Sequence, residues 1–347
     1  MNDKTGLYIS QSKGIGLMKY APILIPTLCR ADKFRKCIES LKKNKWAKYT
    51  SVYVALDYPS NDTHWRGYKE ICEYLKQDFT EFAEFNIIKR ETNYGSSKNV
   101  SEVRDRIFQR FDRYIYTDDD IEFSENFLEY IDKTMELYDD DPNIIAVCGY
   151  SYPLQWNVSQ DSTVFKTTTG LFMWGTGFWR DKYVPIKKSI EDGVFRREYA
   201  TYNRRFWRKK LIDVRYLDFL GLGTAEKGLL DCSSDISLST YMELYNKYAV
   251  IPVISKARNH GFDGSGVYCQ KVDGFSFDAG NYDYSNQEID KMDSFNVISD
   301  TFCYDTANRK LWEAFDSRKN IKAKILKKEL KYFLRKLIGN NNSTHTR

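Results

Sequence analysis

The chain has 347 residues, enough for one large domain or two smaller ones around a substantial core. Charged residues make up 29% and hydrophobic residues 42%, with a net charge of +5, the composition of an ordinary soluble protein. No apolar run approaches the roughly 20 residues that span a bilayer, and a chain this close to neutral over most of its length is not a nucleic-acid binder.

The first half alternates strand and helix patterns. Residues 22–28 (PILIPTL) read as a buried strand, and 31–43 as a helix with Phe34, Ile38 and Leu41 on one face. A second strand follows at 51–57 (SVYVALD), then a helix at 65–79, a strand at 85–89 and a helix at 100–111. The strand at 113–117 runs into Asp118, Asp119 and Asp120, a helix opens near Ser124 as N-cap, and 144–148 is again a strand. Regular alternation of this kind predicts a mostly parallel α/β sheet flanked by helices.

Ligands of such sheets bind beyond the carboxyl ends of the strands. Arg30, Asp57 and the triplet Asp118–Asp120 all fall at or just after strand ends. Three adjacent carboxylates repel one another, and a divalent cation with a taste for hard oxygen donors, Mn²⁺ or Mg²⁺, relieves that repulsion. A second triplet, Asp139–Asp141, follows a predicted helix and precedes Pro142, so it reads as a solvated turn. No glycine loop of the GxGxxG or GxxxxGK[ST] kind follows a strand, which leaves phosphate binding to a metal.

The second half is less regular. Residues 167–179 (TTTGLFMWGTGFW) combine glycines with large aromatics, as a ligand-approached backbone or a tight turn between core strands would. A basic-aromatic amphipathic stretch covers 196–210, a helix 231–245 and a short strand 249–255. Residues 259–269 (NHGFDGSGVYC) read as a glycine-rich loop, and 276–317 as irregular structure with short helices. From Arg318 to Lys336 nine Lys and Arg face one acid, with Leu326, Leu330, Phe333, Leu334 and Leu337 on the opposite side of a helical wheel. A helix lying on an anionic membrane surface and a helix docked on its own domain both fit that pattern.

The seven cysteines are scattered, odd in number and without a CxxC pair, so neither a disulfide framework nor a zinc site is expected. A reducing cytoplasm fits, and the first residues lack a signal-peptide pattern. Aromatic residues reach 16%; ordinary core packing accounts for most, sugar or base stacking being the other use of such surfaces.

Over residues 20–270 the chain resembles nucleotide-sugar glycosyltransferases of the Rossmann-like GT-A fold, of the N-acetylglucosaminyltransferase I type with its bacterial relatives. The resemblance is carried by PILIPTLCRADKFRKCIESL, by Asp57 after the second strand, by NYGSSKN, by DDDIEFSENFLEY, by KTTTGLFMWGTGFWRDKY and by NHGFDGSG. It implies a nucleotide-sugar-binding half at 20–150, an acceptor-binding and catalytic half at 151–275, an extension at 276–317 and a basic helix and tail at 318–347. By resemblance Asp120 is the metal ligand, with His260 beside the donor as a further ligand or a structural histidine. Arg30, Asp57, Lys98, Asp118 and Asp119 would bind the nucleotide, Asp57 against the uracil. Asp235 would be the catalytic base, with Asp231 the alternative. The implied reaction is inverting transfer of a hexosyl or N-acetylhexosaminyl group, with Mn²⁺ or Mg²⁺, from a UDP-sugar to a glycan hydroxyl. The acceptor would be a glycan or, as the basic C-terminal helix suggests, a lipid-linked glycan at the cytoplasmic membrane face, as in bacterial surface polysaccharide synthesis.

Two other readings compete. A sugar-nucleotide nucleotidyltransferase shares the sheet and the carboxylates, but needs a glycine-rich basic loop after its first strand, where this chain has PTLCRADKF. A catalytically inactive carbohydrate-binding protein of the same fold would not need both the triplet and Asp235.

Overall fold

The computed structural model describes residues 18–153, 155–168, 171–194, 234–265 and 284–304. Its first half is built as the alternation predicts: β1 (Ile23–Thr27), α1 (Ala31–Lys42), β2 (Ser51–Leu56), α2 (Trp65–Tyr74), β3 (Glu84–Lys89), α3 (Ser96–Arg110) and β4 (Arg113–Tyr116). Then come β5 (Ile121–Phe123), α4 (Phe127–Leu137), β6 (Ile144–Cys148), β7 (Val164–Thr167), β8 (Thr176–Trp179) and α5 (Arg180–Glu191). After the next described stretch begins, α6 (Asp235–Tyr245) leads to β9 (Tyr248–Pro252), β10 (Ala257–Asn259) and β11 (Ser299–Tyr304).

Among the described residues nine strands form one mixed sheet in the order β11-β7-β9-β6-β8-β4-β1-β2-β3. The β3-β2-β1-β4 side is parallel throughout, and β8 enters antiparallel between β4 and β6. Period-2 side-chain alternation feeds a core on each face. Ile23, Ile25, Val54 and Ile115 pack with Phe34, Ile38 and Leu41 of α1 on one side. Leu24, Tyr53, Ala55 and Tyr114 pack with Val103, Ile107 and Phe108 of α3 on the other. Each such side chain contributes roughly 1.5–3 kcal/mol when fully buried, so the parallel half is a rigid platform for the loops at its carboxyl edge.

Four local readings change. Residues 121–123 form a strand and not the approach to a helix, because they pair antiparallel with β10, residue 123 opposite 257. The Ser124 N–H extends that pairing to the Lys256 carbonyl, and its hydroxyl donates to Asn126 Oδ1 at 2.9 Å instead of accepting from a helix N–H, so Ser124 does not cap a helix; α4 starts at Phe127 after Asn126. The helix expected over 231–245 starts at Asp235, where Ser234 and Ser237 form a reciprocal capping box. Within the polar 276–317 stretch, residues 299–304 add an edge strand, β11, parallel to β7. The basic-aromatic stretch at 196–210 and the basic segment 318–347 lie outside the described residues.

Candidate active site

The site starts where the strand order reverses. From β1 the chain moves outward to β2 and β3, then returns to place β4 on the other side of β1. The loops leaving β1 and β4 diverge there and open a crevice at the carboxyl edge. Arg30, between β1 and α1, and Asp118–Asp120, between β4 and β5, are the charged residues of those two loops.

They meet directly. The Arg30 guanidinium bonds to the Asp119 carboxylate and, at 2.6 Å, to Asp120 Oδ2. The hydroxyl of Thr27, the last residue of β1, donates to Asp119 Oδ2 at 2.7 Å, and the Tyr116 hydroxyl donates to Asp118 Oδ1 at 2.9 Å. Burial opposes the Arg30 charge, but Asp119 and Asp120 outweigh it and raise its pKa. Burial, then repulsion from Asp120, pushes Asp118 well above the usual carboxylate range. Asp119 is pushed up to about 6 by burial, with Arg30 and Thr27 holding it down. One guanidinium therefore does not satisfy three carboxyl groups.

Asp57 lies one strand over. Its N–H donates to the Thr27 carbonyl at 3.0 Å. Its Oδ1 accepts from the main-chain N–H groups of Tyr58 at 2.9 Å and Tyr94 at 2.8 Å, which ties the β3–α3 loop to the end of β2. Both bonds use one oxygen, so Oδ2 is available to a ligand donor. Lys98 is exposed in the first turn of α3, with its ammonium 4.2 Å from the centre of the Tyr94 ring. The residues at this edge thus form two adjoining groups, Thr27/Arg30/Asp118–Asp120 and Asp57/Tyr94/Lys98.

A third wall comes from far along the chain. Because β10 pairs with β5, the NHGFDG loop folds over the triplet: the His260 N–H donates to the Asp120 carbonyl at 2.9 Å. A Cβ on Gly261 would overlap Asp120 Oδ2, so any larger residue there would displace the Asp120 carboxylate. The His260 ring faces Glu122, Nε2 to Oε2 at 2.7 Å. Phe262 packs edge-on against Trp174 of the glycine-aromatic segment, ring centres 5.9 Å apart. Asp235 is half-buried in the first turn of α6, where an acid also suits the helix dipole; Asp231 lies outside the described residues.

Among the described residues no three or more His, Cys, Asp or Glu side chains form a ready-made metal cage. A cation held together with a diphosphate does not need one, since Mg²⁺-type sites take one or two carboxylates and complete their shell with phosphate oxygens and water. Asp120 Oδ1 suits that role: it is buried and has no hydrogen-bond partner among the described residues. A buried carboxylate oxygen without a donor is costly unless a ligand supplies one. The donor set, hard oxygens with an imidazole beside them, fits Mn²⁺ or Mg²⁺.

Thr27, Glu122, Arg258 and Tyr94 went unnoticed in the sequence. The signal for Glu122 was a short alternation, Ile121-Glu122-Phe123, and for Arg258 only a charge between the small Ala257 and the buried Asn259. Three residues are too few to stand out as a strand pattern.

No family profile matches the chain, and no curated protein does. Among solved structures it is similar to the mannosyltransferase PcManGT from Pyrobaculum calidifontis in complex with GDP-Man and Mn²⁺. Identity there is 14% and the TM-score 0.34, over 47% of this chain and 45% of that one. It is also similar to S. aureus TarS 1-349 in complex with UDP, at 14% identity and a TM-score of 0.38, over 67% and 57% of the two chains. For TarS 1-349 with UDP-GlcNAc the values are 16%, 0.30, 42% and 39%. The chain spans less than two thirds of each of these structures.

Proposed function

We propose that this chain is a metal-dependent, inverting glycosyltransferase of the GT-A fold. It moves a hexosyl or N-acetylhexosaminyl group from a nucleoside-diphosphate sugar, with UDP as carrier, to a hydroxyl of a glycan. One observation carries the reading: Arg30 and the Asp118–Asp120 carboxylates converge at the switch point of a parallel sheet, with a buried, unpartnered oxygen on Asp120.

In this reading Asp120 and His260 hold Mn²⁺ or Mg²⁺. When bound, the ion acts as a Lewis acid that neutralises the leaving diphosphate. Asp57 Oδ2 accepts the imide N–H of the uracil, Lys98 supplies positive charge near the nucleotide, and Asp118 and Asp119 take the ribose and nucleotide side. Arg30 keeps the Asp119 and Asp120 carboxylates oriented and adds positive charge on the nucleotide side. Asp235 removes the proton of the attacking acceptor hydroxyl, a general-base step contributing about 10²–10⁴-fold. Charge at the anomeric carbon develops as in other glycosyl transfers, through an oxocarbenium-like state. The basic segment 318–347 supports an anionic membrane surface as the place of action and a lipid-linked glycan as acceptor, as in surface polysaccharide synthesis on the cytoplasmic side.

The test is thermal stabilisation by UDP with and without Mn²⁺, followed by a hydrolysis screen across nucleotide sugars. UDP stabilisation that Mn²⁺ strengthens in wild type and not in Asp120→Ala supports the reading. Equal behaviour of the two proteins would sink it. Removing residues 318–347 should weaken liposome binding and leave donor hydrolysis intact; unchanged liposome binding removes the membrane part.

A further inference from the structure

Glu122 belongs to neither the aspartate triplet nor the helix that follows it, yet it is the most heavily bonded carboxylate of this region. In the β5–β10 pair it lies directly opposite Arg258. Arg258 binds it with two parallel bonds, Nε to Oε2 and Nη2 to Oε1, both 2.8 Å. Lys36 of α1 approaches Oε2 at 3.2 Å, and His260 Nε2 lies 2.7 Å from the same oxygen.

That last bond fixes a proton. A carboxylate so surrounded by cations only accepts, so His260 Nε2 must be the donor. With one proton on the ring, Nδ1 then carries the lone pair. The same residue is pinned by its main-chain N–H to the carbonyl of Asp120, and the next residue, Gly261, has its backbone against the Asp120 carboxylate. Histidines that ligate metals almost always donate their second ring N–H to a carboxylate or carbonyl, and here that partner is already in place.

We propose that Glu122 is a positioning residue: it holds His260 in the Nε2–H form, so that Nδ1 is the nitrogen that ligates a divalent cation bound at Asp120. This rests on the metal-centre reading above and adds a residue one step removed from the ion. A purely structural role for Glu122, locking β5 to β10 through Arg258, makes different predictions.

The experiment combines ring-nitrogen NMR with Mn²⁺ binding. The chain has three histidines, His64, His260 and His345, so ¹⁵N-histidine labelling gives an assignable spectrum once His260→Gln removes one signal set. Wild type should show His260 as the Nε2–H tautomer before any metal is added. Glu122→Ala should lose that fixed tautomer and weaken Mn²⁺ binding, measured by EPR in the presence of UDP, by roughly 10–100-fold. Glu122→Gln keeps one carbonyl oxygen, which fits the Oε2 position where three donors converge, and should retain the tautomer and most of the affinity. Arg258→Ala breaks the strand-locking pair but leaves the Glu122–His260 bond, and should also keep the tautomer. An Nδ1–H signal in wild type overturns the proposal, as does unchanged Mn²⁺ affinity in Glu122→Ala, or equal loss in Arg258→Ala. Should Glu122→Ala not fold, the wild-type spectrum still decides the tautomer. Loss of the tautomer in Arg258→Ala, or in Glu122→Gln, would then overturn the proposal. The metal-centre reading fails separately, if Asp120→Ala binds Mn²⁺ as wild type does.

Discussion

Two runs of three aspartates, Asp118–Asp120 and Asp139–Asp141, have the same composition and opposite surroundings. The first ends a central strand, with Asp119 and Asp120 only 4% and 6% exposed. The second lies in the turn after α4, where Asp139 pairs with buried Arg113 at 3.1 Å and Asp141 Oδ1 accepts the Asn143 N–H at 2.9 Å. The second triplet is thus more than a solvated turn: two of its members hold the turn into β6 and a buried guanidinium in place. Each of those two has a protein donor to serve. In the first triplet, burial raises Asp118 and Asp119, and one oxygen of Asp120 has no partner among the described residues. A charge cluster that the fold buries without answering is a candidate ligand site, and one supplied with donors is structural.

The sharpest break between the two runs is Asp120→Ala against Asp139→Ala. Asp120→Ala should abolish the Mn²⁺-dependent part of UDP stabilisation and lower donor turnover by about 10³-fold, the several kcal/mol that a metal supplies to a developing charge. Asp139→Ala should leave nucleotide binding and turnover unchanged. Matching losses in both, measured by melting with UDP and Mn²⁺ and by hydrolysis rate, would erase the distinction.

Next in size is Gly67→Ala. Gly67 of α2 packs so closely on the loop after β1 that a Cβ would collide with the Cys29 carbonyl oxygen. The shift needed should cost roughly 1–3 kcal/mol. Because Arg30 is the next residue, it should also weaken UDP–Mn²⁺ stabilisation, although Gly67 touches neither ligand. A melting loss with nucleotide binding intact would mean that the Arg30–Asp119–Asp120 contacts tolerate movement of their loop.

Asp139→Ala itself carries a smaller expected effect on stability. Arg113 is 1% exposed at its side chain and keeps Glu136 at 3.4 Å and Asp112 at 3.4 Å after the loss. The cost should be roughly 1–2 kcal/mol, or about 2–6 °C in melting temperature. No change in melting would return the second triplet to a solvated turn.

A buried carboxyl in α4 differs from both runs in its pH dependence. Asp132 accepts the Ala21 N–H at 2.9 Å and is pushed up to about 8 by burial, against the lowering effects of Ala21 and Arg113. Its raised folded value means the native state holds a proton that the unfolded chain releases near pH 4. The stability it contributes is full below about pH 4 and is lost as pH rises to about 8. Asp132→Asn keeps the acceptor oxygen and removes the titration. Its melting advantage over wild type should therefore grow between pH 4 and 8 and level off above; a constant difference across that range would refute the assignment.

Much of the parallel half was legible because its signals are local. Apolar runs of five or six residues between amphipathic helices gave β1, β2 and β4, and strand-end placement picked out Arg30, Asp57 and the triplet. Boundaries moved where a competing partner took a capping group, as at Ser124, whose hydroxyl donates to Asn126 Oδ1. Asp235 was singled out by resemblance alone, inside a helix expected to start at Asp231, and the sequence left the choice between those two carboxylates open; the helix in fact starts at Asp235.

By itself the sequence determined that a mostly parallel α/β sheet would end in clustered carboxylates, since side-chain period and strand-end position are properties of adjacent residues. Only the tertiary structure decided which charges answer one another. The reversal at β1 brings Arg30 to Asp119 and Asp120 across some ninety positions, and the β5–β10 pairing lays His260 beside Asp120 across a longer gap. Such contacts depend on loop closure and strand register, and no short window of the chain encodes either.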